Sequence, residues 1–275
     1  MRERRVGARR PTRARVGAGR WALVALLMLC RQALAQEESD PHAVQPERPT
    51  LATHAGTVAP AWVEVESGFE EDAQGSSRVA STPTTLKVGL APRLQLGLVG
   101  IWIARSGQKP SGSGIGDFVL DVKWRVFQGL PFLGEVAVEP AIKFPTGSTT
   151  TGTGTGTTDA GAILISSHEF GAIALDLNFA AYWRSGSGSL APKSYTYWTV
   201  STGWPLVGPV GFAFEVYGYP GTGGPSGAPP TVSALAGPTW LIEKWIQVDA
   251  GVIAPVAGRV PRSLYAGVVW NIGRL

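Results

Sequence analysis

The chain has 275 residues, 44% hydrophobic and 16% charged, with a formal net charge of +4. That balance is uneven: residues 1–35 hold nine of the 24 Lys and Arg but one of the 20 acids, leaving 15 basic against 19 acidic groups beyond them. A basic nucleic-acid surface is thereby excluded, and with Cys30 the only cysteine, no disulfide or thiolate metal site can form downstream of it.

Residues 1–35 read as a signal peptide. Arg2 to Arg20 form a basic leader, Trp21–Leu29 an apolar run, and Ala33-Leu34-Ala35 a small-x-small cleavage pattern. The apolar run is too short for a spanning helix. The leader is long, which leaves a downstream start or a twin-arginine route open. Residues 36–60, rich in Pro, Glu, Gln and Thr and without periodicity, read as a flexible periplasmic tether.

Residues 61–275 carry a strand rhythm. In Gly116–Phe127, Phe118, Leu120, Val122, Trp124 and Val126 alternate with Asp117, Asp121, Lys123 and Arg125. A period of two puts these sets on opposite faces of a strand. About twelve such segments follow one another: 61–69, 79–90, 94–104, 116–127, 134–144, 158–167, 171–183, 195–204, 210–219, 231–242, 245–255 and 263–273. No stretch has a sustained helical period.

Connections at 91–93, 128–133, 168–170, 205–209 and 243–244 are short. Those at 70–78, 105–115, 145–157, 184–194, 220–230 and 256–262 are longer and rich in Gly, Ser, Thr and Pro. Alternating short and long connections with an even strand number predict an all-β, transmembrane, antiparallel up-and-down β-barrel of about 12 strands. A strand of ~10 residues tilted ~40° covers about 25 Å, the height of an apolar band. Trp62, Trp124, Trp204, Trp240, Trp245 and Trp270 lie near one set of strand ends. Trp102, Phe144, Trp183, Tyr195, Tyr197, Tyr217 and Tyr219 lie near the other, as two interfacial girdles would. The rival fold is a soluble secreted β-sandwich.

From about Val65 to Leu275 the chain resembles the outer-membrane proteins of the phenol-degradation meta-pathway family, described as transporter-like. Thr82–Arg93 (TPTTLKVGLAPR), Ser113–Phe127 (SGIGDFVLDVKWRVF), Ala141–Gly147 (AIKFPTG), Asp249–Pro255 (DAGVIAP) and Ala266–Ile272 (AGVVWNI) carry the resemblance. It implies a barrel in the bacterial outer membrane, partnered by lipid and built by the barrel-assembly machinery. Gly273-Arg274-Leu275 departs from the usual aromatic barrel terminus. Twelve strands would leave both termini periplasmic.

With the apolar set facing lipid, the inward charges are Glu64, Glu66, Lys87, Asp117, Asp121, Lys123, Arg125, Glu135, Glu139, Lys143, Asp176, Glu215 and Asp249. Nine of these thirteen are acidic, which favours cations in an open lumen. The channel-lining candidates are Asp121, Lys123, Arg125, Glu135, Glu139, Lys143, Asp176, Glu215 and Asp249. The first six lie on neighbouring strands, where opposite charges should pair. Such pairs either brace and seal the interior or line a charged constriction.

No cofactor, metal or nucleic-acid site is expected. The three histidines lack grouped partners, and Gly147–Thr158 (GSTTTGTGTGTT) lacks a phosphate-loop Gly-Lys-Ser/Thr and reads as a flexible external loop. Gly112, Gly114 and Gly116 precede a strand, which is not a dinucleotide fingerprint. Ser166 and His168, two apart on one strand face, suggest a barrel lipid hydrolase. The reading drawn is a non-enzymatic channel or uptake conduit for small solutes, with a hydrophobic or aromatic preference resting on the family name alone. The competing readings are a closed structural or adhesive barrel with external binding loops, and the hydrolase.

Overall fold

The structure is a computed structural model that describes residues 40–107, 109–185, 192–222 and 227–275. The signal peptide expected at residues 1–35 lies outside them. The strands are β1 (Trp62–Gln74), β2 (Ser77–Ala91), β3 (Leu94–Ser106), β4 (Gly112–Ile115), β5 (Phe118–Leu130), β6 (Gly134–Phe144) and β7 (Asp159–Phe170). They continue with β8 (Ile173–Arg184), β9 (Ser194–Val207), β10 (Val210–Tyr219), β11 (Thr231–Glu243), β12 (Ile246–Ala257) and β13 (Arg262–Arg274).

Apart from β4 and β5, which do not pair with each other, sequence neighbours pair antiparallel, and β1 pairs with β13 from Trp62↔Arg274 to Ala73↔Arg262, closing the sheet. Both β4 and β5 pair with β3, so they form one stave broken at Gly116-Asp117, and the barrel has twelve staves. Closure pairs the backbone groups and leaves no free edge.

The exterior is apolar, and the interior is mostly polar with two smaller apolar clusters, one around Ile163 and Ile165 and one around Leu235, Ile253 and Tyr265. Leu164, Phe179, Trp183, Val252, Leu264 and Trp270 are exposed, while Glu64, Lys87, Lys123, Glu215 and Asn271 are buried to within 1% of complete enclosure. This inverts a soluble core and corrects the β-sandwich alternative. The alternation of short and long connections has one exception. The residues expected to form a loop at 70–78 extend β1 and β2, which meet at Gly75-Ser76 with Gln74 opposite Ser77. Gly75 has φ +58, a conformation that suits glycine in a two-residue hairpin. The barrel's "turn end" carries the connections at 92–93, 131–133, 171–172, 208–209 and 244–245, and its "loop end" the others.

Two further expectations change. Tyr195, Tyr197, Tyr217 and Tyr219 share strand parity with the buried Thr199, Ser201 and Glu215, so they face the lumen and not an interfacial girdle. Residues 147–158, expected as a flexible loop, are pinned by Asp117. Its carboxylate accepts from the Gly147 N–H at 3.1 Å and from the Thr155 N–H and hydroxyl at 2.9 and 2.6 Å. The side chains of Thr151 and Thr153 lie over Gly112 and Gly114, where a Cβ would stand 3.0 and 3.7 Å from them. Gly112 and Gly116, the latter with the Thr153 carbonyl 3.1 Å from where a Cβ would stand, make room for the loop.

Candidate functional site: a segment bound inside the barrel

Residues 40–60 cannot pair as a strand along their length, because Pro41, Pro46, Pro49 and Pro60 remove donors and interrupt any ladder. Their remaining N–H groups still need acceptors once out of water. The inner wall supplies them. Gln45 N–H donates to Glu64 at 2.7 Å, and Glu47 and Arg48 N–H donate to Glu66 at 2.8 and 3.1 Å. Leu51 and Ala52 N–H donate to the two oxygens of Glu215 at 2.8 and 2.7 Å. Thr53 exchanges a pair of bonds with Asn178, N–H to Oδ1 at 2.7 Å and Nδ2 to its carbonyl at 2.9 Å. Ala55 N–H reaches Ser167 Oγ at 2.8 Å, and Val58 N–H reaches Gln95 Oε1 at 2.9 Å.

These wall residues come from β1, β3, β7, β8 and β10, on all sides of a closed cylinder, so the segment lies inside it. Residues 40–60 are therefore not a free tether. Carboxylates accepting backbone N–H bonds are strong anchors, worth roughly 1.5–3 kcal/mol each.

Cations complete the grip. The fully enclosed Lys87 ammonium bonds Glu64 at 2.6 Å, Glu66 at 2.5 Å and the Gln45 carbonyl at 2.6 Å. Lys123 bonds Glu47 and the Thr53 hydroxyl, with Glu139 at 3.4 Å. Arg48 meets Asp249 at 3.1 Å. At the turn end His42 Nε2 lies 3.1 Å from the Asn271 carbonyl, its ring 4.9 Å from Trp62 and 5.9 Å from Trp245.

Arg48, Pro49 and Thr50 form a septum. On its turn-end side lies a cavity of about 440 Å³ that reaches Ala172, Gly208 and Gln247. On its loop-end side lies another of about 410 Å³, bounded by Glu70, Tyr217 and Tyr219. The same three residues line both.

Lys123, Glu215 and Asp249, among the nine expected lining residues, hold the segment. Arg125 pairs with Glu135 at 2.9 Å. Lys143 bonds Asp117 and Asp159, each at 3.1 Å, and Asp176 accepts from Ser167 at 2.5 Å. Asp121 lies over Gly97, whose missing Cβ gives its carboxylate room. Gln95, Ser167, Asn178 and Asn271 were missed because neutral amides and hydroxyls carry no charge signal. Asn178 shares strand parity with Asp176, while Gln95, Ser167 and Asn271 stand opposite Lys123, Asp176 and Glu64 on neighbouring strands.

Ser166 Oγ lies 3.0 Å from His168 Nε2 but donates its proton to the Leu133 carbonyl at 2.7 Å. His168 stacks on Phe170 at 5.8 Å. With the hydroxyl proton directed away from the imidazole, the pair is a wall contact at the turn end.

Burial, reinforced by the Lys123 and Lys87 charges, pushes His54 down to about 4, while Glu47 opposes the shift. Withdrawn, His54 takes up a proton near its ordinary 6.5; docked, it resists until about 4. Docking therefore weakens as pH falls through that window, by up to about tenfold per unit. Glu47 adds to the loss at lower pH: burial disfavours its charge, but Lys123 and Lys87 hold its carboxyl below the usual range. Release of residues 40–60, read as conductance in planar bilayers, should increase more between pH 7 and pH 5 in the wild type than in a His54→Gln variant.

The family model described as "Putative MetA-pathway of phenol degradation" matches residues 50–269. The chain belongs to this family. A comparison with curated proteins yields no match. Among solved structures, an outer membrane channel from Pseudomonas putida F1 is similar, with TM-score 0.64 and 13% identity over 82% of this chain and 99% of that one. The NanC porin is similar with TM-score 0.54 and 11% identity over 76% of this chain and 100% of that one. At these identities the likeness is one of fold, a closed antiparallel β-barrel.

Proposed function

We propose that the protein is an outer-membrane channel for small solutes, with residues 40–60 as a removable insert that closes the lumen at rest. The observation that supports this reading is the septum: Arg48, Pro49 and Thr50 are the residues that line both cavities, one on each side of them. A permanently sealed barrel would need no separate segment to fill it, since wall side chains serve that end in small barrels. The apolar exterior meets lipid, the turn end faces the periplasm with both chain ends, and the barrel-assembly machinery inserts it. The family description favours small aromatic or hydrophobic cargo.

Single-channel recording tests the reading. The chain from Gln36 should conduct rarely, and the chain lacking residues 40–60 should give frequent, cation-selective steps. Silence from both, with heat-modifiable gel migration demonstrating closed barrels, would favour a structural or adhesive barrel.

A further inference from the structure

The loop-end cavity joins two unlike surfaces. One is apolar and aromatic, built by Tyr217, Tyr219, Leu235 and Ile253. The other is acidic, built by Glu66, Glu70 and Glu139 with Glu47 from the segment. Arg48 is the one cation among its lining residues, and Asp249 already binds it. Lys87 and Lys123, on the inner wall but not lining this cavity, are held by Glu64, Glu66 and Glu47.

Two carboxylates lack a close cation. Among the described residues no Lys or Arg stands within ion-pair distance of Glu70, which shares its strand face with Asp72 and is hydrogen-bonded with Asp72 and Ser263. Glu139 is 8% exposed, and its Oε2 accepts no hydrogen bond although Lys123 stands 3.4 Å away. A buried carboxylate oxygen without a donor, as at Glu139, costs free energy that a bound cation would recover, and at Glu70 a cation would neutralise a crowded acidic pair.

The aromatic wall narrows the choice of cation. Calcium or magnesium takes a shell of oxygens, and among the described residues no three carboxylates come together to supply one. Tyrosine faces attract ammonium groups and also cover an apolar body. A volume of about 410 Å³ fits a small organic molecule. We propose that this cavity binds a small organic ammonium ion, its charge against Glu70 and Glu139 and its apolar body against Tyr217, Tyr219 and Leu235. The site deepens the channel reading and rests on it only in making the ligand a cargo.

Three probes of similar size test the proposal by calorimetry on the full-length barrel in detergent: benzylammonium, its isostere benzyl alcohol, and benzoate. Benzylammonium should bind saturably, at least tenfold more tightly than the alcohol, with benzoate weakest. Glu70→Gln should weaken benzylammonium about tenfold and leave the alcohol unchanged, and Tyr217→Leu should weaken both. Equal affinity for ammonium and alcohol would overturn the proposal, as would no binding or an unchanged affinity in Glu70→Gln. The wild-type comparison decides even if a variant fails to fold. Binding without conductance would keep the site and remove the channel; conductance without binding would do the reverse.

Discussion

Replacing Lys87 with methionine is expected to destabilise the barrel by roughly 3–5 kcal/mol, the usual cost of removing one partner from a buried ion cluster. The ammonium is 1% exposed and neutralises Glu64 and Glu66 while capping the Gln45 carbonyl. Methionine fills a similar volume, so the loss isolates charge from packing. The midpoint of urea unfolding in lipid vesicles should fall accordingly. A triple variant, Lys87→Met with Glu64→Gln and Glu66→Gln, should recover most of the loss, because neutral amides in the same places can be buried cheaply. If the triple is no more stable than the single, the cluster is not acting through charge.

Glu215→Ala should have the largest effect on opening. One carboxylate accepts the N–H groups of both Leu51 and Ala52, next to the septum, and removing it strands two donors. Each bond is worth roughly 1.5–3 kcal/mol, less what is regained by not enclosing a carboxylate. The open fraction should rise between about tenfold and hundredfold. Asn178→Ala, which removes neutral bonds to Thr53, should act in the same direction but less. The chain beyond Cys30 has no cysteine, so a Thr50→Cys reporter can be labelled cleanly with a maleimide. Labelling should be slow in the parent and fast with Glu215→Ala; equal rates would mean that Glu215 does not hold the segment.

The barrel was legible because lipid enforces one rule along every strand. Phe118, Leu120 and Val122 against Asp121 and Lys123 state that rule locally, and nothing in tertiary packing competes with it. The first hairpin was misjudged because Glu70, Glu71 and Asp72 look like loop residues. In the barrel, Glu70 and Asp72 occupy inward positions of β1 opposite Tyr265 and Ser263. The segment at 40–60 was misjudged for a different reason. Its Pro-rich, aperiodic composition does mean that it cannot order itself, but the acceptors that order it are Glu64, Glu66, Asn178 and Glu215, far away in sequence. Composition reports what a segment can do alone, and here the partner is the wall.

The path of this segment also sets the mechanics of its release. Val44 N–H bonds the Lys244 carbonyl, and the Ala61 N–H bonds the Gly89 carbonyl, so the stretch between enters and leaves through the same rim. It is a bight pushed in from the turn end, not a cord threaded from one mouth to the other. A bight can slide out and back while β1 stays zipped to β13, with no chain end crossing the cylinder. Tension on the residues before Asp40, applied from that rim, would draw Arg48–Thr50 down and out like a drawstring.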